Sequence, residues 1–403
     1  MKSRTVQPIR RSSKGRNRPL YERESGKKRG IRYFDYNLLI VVIFLMCFGL
    51  VMLYSTSSYS AQAKFGNSMY YFSKQALISA ICFVGMLVVA KIDYHLYAPF
   101  SVEIFLASMF LMALVRWSPL GVESYGSRRW IRLPGNMTLQ PSEMMKVAVI
   151  LLIPYILCKM GNQITTGKGF LKVTACGVLA ACSVFYLTDN LSTAVIVLAI
   201  TMSMIFVVHP KTVPFVGAAL AGIVVFLIGA QILIANFADS DNFRMRRILA
   251  WLQPGEYASD GNYQVTQALY AIGSGQFFGK GLGNSTQKMI IPEVQNDMIL
   301  SIVCEELGVF GAIIILVLFA IMLYRLMFIA QNAPDMYGAL VATGIFAHIA
   351  VQVILNIGVV TKVLPTTGIT LPFISYGGTS VMFLMVEMGI ALGISTKIKI
   401  IGE

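Results

Sequence analysis

Long apolar runs recur along this chain, each able to carry a helix across a bilayer. Runs of about 18 residues or more fall near 36–55, 74–92, 98–115, 142–160, 172–188, 192–209, 213–235, 298–325, 337–360 and 379–396. The pair at 172–188 and 192–209 is separated by only a few residues. Of the 403 residues, 56% are hydrophobic and 13% charged, more apolar surface than a soluble domain of this size can bury. The expected fold class is an all-α polytopic membrane protein with about ten transmembrane helices.

The first run begins too far along the chain, and is too long, for an ordinary cleaved signal peptide. Ahead of it lie twelve Lys and Arg residues between Lys2 and Arg32. A basic arm of this kind can bind nucleic acid, but the positive-inside tendency explains it more simply and places the N-terminus in the cytoplasm. An even number of spans returns the tail to the same side. Most of the net charge of +14 is then an orientation signal, and no nucleic-acid partner is expected. Residues 1–35 are expected to be a disordered cytoplasmic arm, 36–396 the transmembrane domain and 397–403 a cytoplasmic tail. The six cysteines lie in or beside apolar runs without C-x-x-C spacing, and are expected to be small buried hydrophobes. Three histidines without ligand spacing argue against zinc.

With that orientation the inward connections are short and plain (91–97, 159–172, 209–211). The outward ones are polar, aromatic and rich in Gly and Pro: 116–141, the long segment 236–297 between the seventh and eighth helices, 361–380, and the short turn 188–192. Function is therefore expected on the outer face.

Arg116, Arg128, Arg129 and Arg132 in the first outward segment run against the positive-inside tendency. Guanidinium groups take phosphate oxygens in bidentate fashion, which suits a lipid pyrophosphate; snorkelling to ordinary phospholipid phosphates is the alternative. QPSEMMK at 140–146 opens the next span with Glu143 and Lys146 on one helical face. They either face a polar cavity or form a local ion pair. His348, Gln352 and Asn356 recur at i, i+4, i+8; hydrogen bonds between helices are the favoured reading. Glu387 in the last span is open to both. The glycines of GSGQFFGKGLGNST, 273–286, lack the G-x-x-x-x-G-K-[ST] spacing of a phosphate-binding loop, so a nucleotide reading fails.

The stretch IIPEVQNDMILSIVCEELGVFG, 290–311, sets Glu293, Asp297, Glu305 and Glu306 around the start of a long apolar run. Asp297 is expected at the water–lipid boundary, with Glu305 about two turns deeper and Glu306 directed toward another helix. A partly desolvated carboxylate gains basicity and suits proton abstraction. A helix N-terminal acid stabilised by the macrodipole is the structural alternative.

LPFISYGGTS at 371–380, preceded by LPTTG at 364–368, resembles the signature of the SEDS family (shape, elongation, division and sporulation). SRRWI at 127–131, QPSE at 140–143, NLSTA at 190–194, YQVTQAL at 263–269, GKGLGNSTQK at 279–288, PEVQND at 292–297 and EELGVFG at 305–311 extend the likeness over almost everything after the basic arm. SRRW, NIGVVT and the long Gly-rich segment lean toward the division and sporulation branch over the elongation branch. The resemblance implies ten transmembrane helices and polymerisation of lipid II into glycan strands, with an undecaprenyl-pyrophosphate-linked glycan as the growing chain. It implies a class B penicillin-binding protein and divisome proteins as partners, in the bacterial cytoplasmic membrane. The family's key acid falls on Asp297, and its Q-P-S-E and following lysine fall on Glu143 and Lys146. Arg128, Arg129 and Arg132 are expected to hold the departing diphosphate. Lys288, Glu293, Glu305, Ser375, Tyr376 and Ser380 are expected at the substrate. A divalent cation, Mg or Mn, is a possible cofactor without a visible ligand cluster. Two departures stand out. Gln295-Asn296-Asp297-Met298 replaces a His-Thr-Asp-Phe pattern, so no histidine assists the acid, and Asn190-Leu-Ser-Thr replaces D-L-G-T. A lipid II transporter and an elongation-type polymerase are the alternative readings.

Overall fold

A computed structural model describes residues 31–124, 127–133, 137–211, 243–252 and 263–400, with isolated positions between 213 and 231. Most of the basic arm, most of the expected seventh span at 213–235 and the end of the tail lie outside the described residues. The helices are α1 (Tyr36–Phe65), α2 (Tyr70–Lys91), α3 (Ser101–Trp117), α4 (Pro141–Met160), α5 (Gly167–Thr188) and α6 (Leu191–Val208). They continue with α7 (Phe243–Leu252), α8 (Tyr263–Ser274), α9 (Ile299–Asn332), α10 (Met336–Val360) and α11 (Gly378–Ser395). Seven of them, α1, α2, α5, α6, α9, α10 and α11, are long and apolar enough to cross a membrane. The chain is thus a polytopic helical membrane protein.

α1 runs ten residues beyond its apolar run because its hydroxyls close their own donors: Thr56 Oγ1 donates to Met52 O at 2.8 Å and Ser57 Oγ to Leu53 O at 2.7 Å. The closely spaced pair α5 and α6 is real. Asp189, left-handed at φ 49°, ends α5, and Asn190 Oδ1 caps α6 by accepting from Thr193 N at 3.1 Å.

α4 is buried on almost every face and packs with α3, α5, α6 and α10. By contrast α2, α3 and α5 expose large apolar residues such as Leu77, Ile81, Phe110 and Tyr186, the pattern of a lipid-facing shell. α2 lies closely on α11, where Gly389 admits it: a Cβ there would stand 2.7 Å from Met86 O.

At one end of the bundle, β1 (Ile31–Arg32) pairs antiparallel with β5 (Lys399–Ile400). Asp35 beside it takes Arg325 Nη2 of α9 at 2.7 Å, and Lys397 Nζ meets Asp93 Oδ2 at 2.8 Å. At the other end, Lys64 near the close of α1 meets Glu293 Oε1 at 2.9 Å. Outward segment 116–141 is not plain coil: β2 (Gly121–Ser124), β3 (Ser127–Leu133) and β4 (Met137–Leu139) form an antiparallel sheet.

The cysteines correct an expectation. All six are free, but Cys47, Cys158 and Cys182 are exposed and only Cys304 is fully buried. On the lipid-facing sides of α1 and α5, a small apolar thiol such as Cys47 or Cys182 is as well placed outward as inward.

Candidate active site

The described parts of the four segments expected on the outer face meet at one end of the bundle. From β3, Arg129 Nη2 donates to Asp189 O, in the turn between α5 and α6, at 3.5 Å, and Arg116 Nη1 meets Asp189 Oδ2 at 3.5 Å. From that turn, Ser192 Oγ donates to Thr367 O in segment 361–380 at 3.1 Å. From α7, Trp251 Nε1 donates to Lys362 O at 3.2 Å.

Asp297 sits among them, half-buried, two residues before α9. Asn356 Nδ2 of α10 holds its backbone carbonyl at 2.9 Å and Ile369 O at 2.7 Å, fastening the acid's backbone to segment 361–380. Gln264 Nε2 of α8 reaches its carboxylate at 3.4 Å and Pro292 O at 3.1 Å. Gly368, at φ 71°, leaves a gap beside it: a methyl group there would lie 3.8 Å from both Asp297 Oδ2 and Arg129 Nη1. Desolvation pushes the Asp297 carboxyl above the usual carboxylate range, against the lowering pull of Arg247 and Arg129. Burial in turn draws the Arg247 guanidinium below its usual value, with Asp297 opposing. Arg247 is the residue that sequence reasoning missed. Its signal was RMRR at 244–247, a second basic cluster in an outward segment.

The arginines divide. Arg129 lies across the gap from Asp297. Arg128 donates to Arg116 O at 3.4 Å, and its buried Nε has no partner among the described residues. The Arg132 side chain is exposed. Glu293, left-handed at φ 49°, accepts from Gln295 Nε2 at 2.9 Å as well as pairing with Lys64, and its charge raises the Asp297 pKa.

Glu143 and Lys146 form a buried ion pair at 2.9 Å. Lys146 Nζ also donates to Gln352 Oε1 at 3.1 Å, and His348 Nε2 reaches the same oxygen at 2.8 Å. Because Gln352 Nε2 donates to Thr370 O at 3.0 Å, its Oε1 is the acceptor and His348 carries a proton on Nε2. His348 Nδ1 lies 2.7 Å from Glu387 Oε2 of α11. The polar stripe of α10 therefore consists of hydrogen bonds between helices, and it holds segment 361–380 beneath Asp297.

Glu305 and Lys288 are not brought to Asp297. Glu305 is fully buried and accepts from Lys280 Nζ at 2.7 Å, Thr286 Oγ1 at 3.0 Å and the Ser285 hydroxyl. Lys288 Nζ donates to Gly283 O at 2.6 Å and meets Glu306 Oε1 at 3.3 Å. Glu306 reaches across to Ser55 Oγ of α1 at 2.6 Å. These charges neutralise one another around a break in α9 at Gly308, where the loop 275–288 folds against the helix. Ser375 is also spent internally, its Oγ accepting from Leu371 N at 2.8 Å. Tyr376 packs edge-on against Tyr71, and burial pushes its phenol up to about 12, so it stays a donor at neutral pH. Ser380 is half-buried in the first turn of α11.

No group of three or more His, Cys, Asp and Glu side chains able to hold a metal ion occurs among the described residues. One carboxylate facing two guanidinium groups does not fit a protein-held divalent ion.

A helical membrane bundle with a desolvated carboxylate facing arginines at one end defines a polytopic membrane protein with a candidate acid–base centre. Residues 36–400 match the family of FtsW, RodA and SpoVE, described as cell cycle proteins, and the chain belongs to that family. It is 38% identical over 364 residues to stage V sporulation protein E of Bacillus subtilis (strain 168), covering 90% of this chain and 96% of the relative. It is 36% identical over 374 residues to a probable peptidoglycan glycosyltransferase FtsW of Geobacter sp. (strain M18), covering 92% and 99%. Among solved structures it resembles a chain of a peptidoglycan synthase complex, with a TM-score of 0.73 at 22% identity over 90% of this chain and 97% of that one. The rod shape determining protein RodA of Thermus thermophilus follows at a TM-score of 0.62 and 22% identity, covering 90% and 96%. The two structures share the fold.

Proposed function

We propose that this chain is a peptidoglycan glycosyltransferase that polymerises lipid II into glycan strands at the outer face of the bacterial cytoplasmic membrane. Support comes from the likeness to FtsW and SpoVE relatives over about nine-tenths of the chain and, above all, from one observation: Asp297 is a desolvated acid that flanks Gly368 together with Arg129. The chain is closer to B. subtilis SpoVE than to B. subtilis FtsW, which is 32% identical over 380 residues, and both favour the division and sporulation branch.

Helix directions set which segments share an end of the bundle, and the positive-inside tendency supports the orientation proposed here. α6 starts beside Thr367 at the Asp297 end, and its 18 residues carry the chain about 27 Å toward the end where the termini pair. The chain reappears at α7 on the Asp297 side; ten spans with both termini inside is the arrangement we propose, in keeping with the basic arm ahead of α1.

In the reaction, Asp297 accepts the proton of the sugar 4-hydroxyl of one lipid II. That oxygen forms a bond to the anomeric carbon of the growing strand, with inversion, as the bond from that carbon to the undecaprenyl diphosphate breaks. A base must be ionised to act, and desolvation places Asp297 nearer the working pH than an ordinary carboxylate. Arg129, Arg128 and Arg247 stabilise the charge that develops on the leaving diphosphate. The Glu143–Lys146 pair acts through Gln352, holding segment 361–380 in register with Asp297. A class B penicillin-binding protein would crosslink the product, and divisome proteins would recruit the pair.

Purified protein in detergent, given lipid II, is expected to make glycan strands, and Asp297→Asn is expected to lose 10²–10⁴-fold in rate. A folded Asp297→Asn protein that polymerises as fast as wild type would refute the assignment.

A further inference from the structure

The turn LPTTG at 364–368 is held by its backbone and left open at its side chains. Trp251 and Ser192 fix Lys362 O and Thr367 O, and Asn356 and Gln352 fix Ile369 O and Thr370 O. Yet the hydroxyl oxygens of Thr366 and Thr367 are shielded from solvent and make no hydrogen bond among the described residues. A buried hydroxyl without a partner is unfavourable, and valine would fill the same volume without that cost. The next residue is Gly368, where an added methyl group would lie 3.8 Å from both Asp297 Oδ2 and Arg129 Nη1.

We propose that Thr366 and Thr367 are substrate-binding residues whose hydroxyls take the uncharged polar groups, hydroxyl or acetamido, of the acceptor sugar that presents its alcohol to Asp297. This rests on the glycosyl transfer proposed above. Hydrogen-bond chemistry selects the sugar over the diphosphate. Phosphate oxygens only accept, and the arginines already offer donors there. A threonine hydroxyl donates one bond and accepts two, matching a sugar hydroxyl, which does the same. The turn thus supplies neutral recognition next to Gly368, which stands beside both Asp297 and Arg129.

The experiment compares full-length Thr366→Val, Thr367→Val and the double variant with the corresponding Thr→Ser proteins. Four quantities are read: lipid II polymerisation, lipid II binding by thermal shift, Tm without ligand, and inhibition by undecaprenyl diphosphate, which carries no sugar. Each valine is expected to raise KM for lipid II about tenfold, the scale of one lost hydrogen bond. Serine should restore wild-type behaviour, Tm should stay level or rise, and undecaprenyl diphosphate should inhibit as before. Wild-type polymerisation by the double valine variant would overturn the proposal. So would an activity loss matched by a fall in Tm, which marks a structural role, or a weakened grip on undecaprenyl diphosphate, which assigns the hydroxyls to the leaving group. Should the wild-type protein bind lipid II without polymerising it, the proposed reaction fails, while valine effects on the binding shift still decide the role of the hydroxyls.

Discussion

At Asp297 the desolvation that raises basicity also works against the folded state. Its folded pKa lies above the ordinary carboxylate value, so the folded protein keeps this proton where the unfolded chain has lost it. The stability this contributes is fully present below the ordinary value and is lost as pH rises through the raised one. At neutral pH the ionised acid is therefore a burden on the fold. Asp297→Asn is expected to leave Tm in detergent at pH 7.5 unchanged or higher while abolishing most polymerisation; a sharp fall in Tm would mean that the carboxylate is a structural partner. Arg247 supplies a second test. It is one of two cations that hold the Asp297 pKa down, so Arg247→Gln should raise that pKa and move the acid limb of the kcat/KM profile to higher pH. A variant that only lowers the plateau, with its limb in place, would separate Arg247 from the base.

Within α9, Gly308 shows how an element can be broken deliberately inside an apolar run. Its φ of 69° and ψ of −168° interrupt the helix, and the freed groups pair with the loop before it: Lys280 N donates to Glu305 O at 2.9 Å and Val309 N to Gln276 O at 3.0 Å. A Cβ at 308 would stand 2.2 Å from Phe277 O. Gly308→Ala should therefore destabilise the protein by at least about 1–3 kcal/mol, seen as a lower Tm and poor recovery from membranes; an unchanged Tm would show that the break is not held by backbone contact. Composition could not reveal this break, because Gly308 reads as one tolerated glycine in an otherwise apolar helix. It also could not show that Glu305, Glu306, Lys280 and Lys288 cancel one another there. Sequence spacing marks four acids near the start of a span, but pairing is set by the loop 275–288 folding back. Seven of the expected spans were readable because hydrophobic length alone specifies them. The polar stripe of α10 was readable from its i, i+4 spacing. The small sheet over 121–139 was not, since its strands are short and Arg-rich, and Arg247 was hidden in a long segment with no fixed spacing to Asp297.

Across the whole molecule, helix direction ties the site to one side of the membrane. α1 begins just after Asp35, which lies beside Arg325 and the paired termini, and ends near Lys64, which meets Glu293 just before Asp297. Segments far apart in the chain converge on that second end, so the chemistry belongs to whichever compartment that end faces. Lipid II polymerisation into a wall requires the outside. Val363 in segment 361–380 is 66% exposed, and Lys211 after α6 is also exposed. In a chain stripped of its native cysteines, Val363→Cys should react with a membrane-impermeant maleimide in intact cells, and Lys211→Cys only after the membrane is opened. The reverse labelling pattern would place Asp297 and its arginines in the cytosol and contradict an outer-face glycosyltransferase.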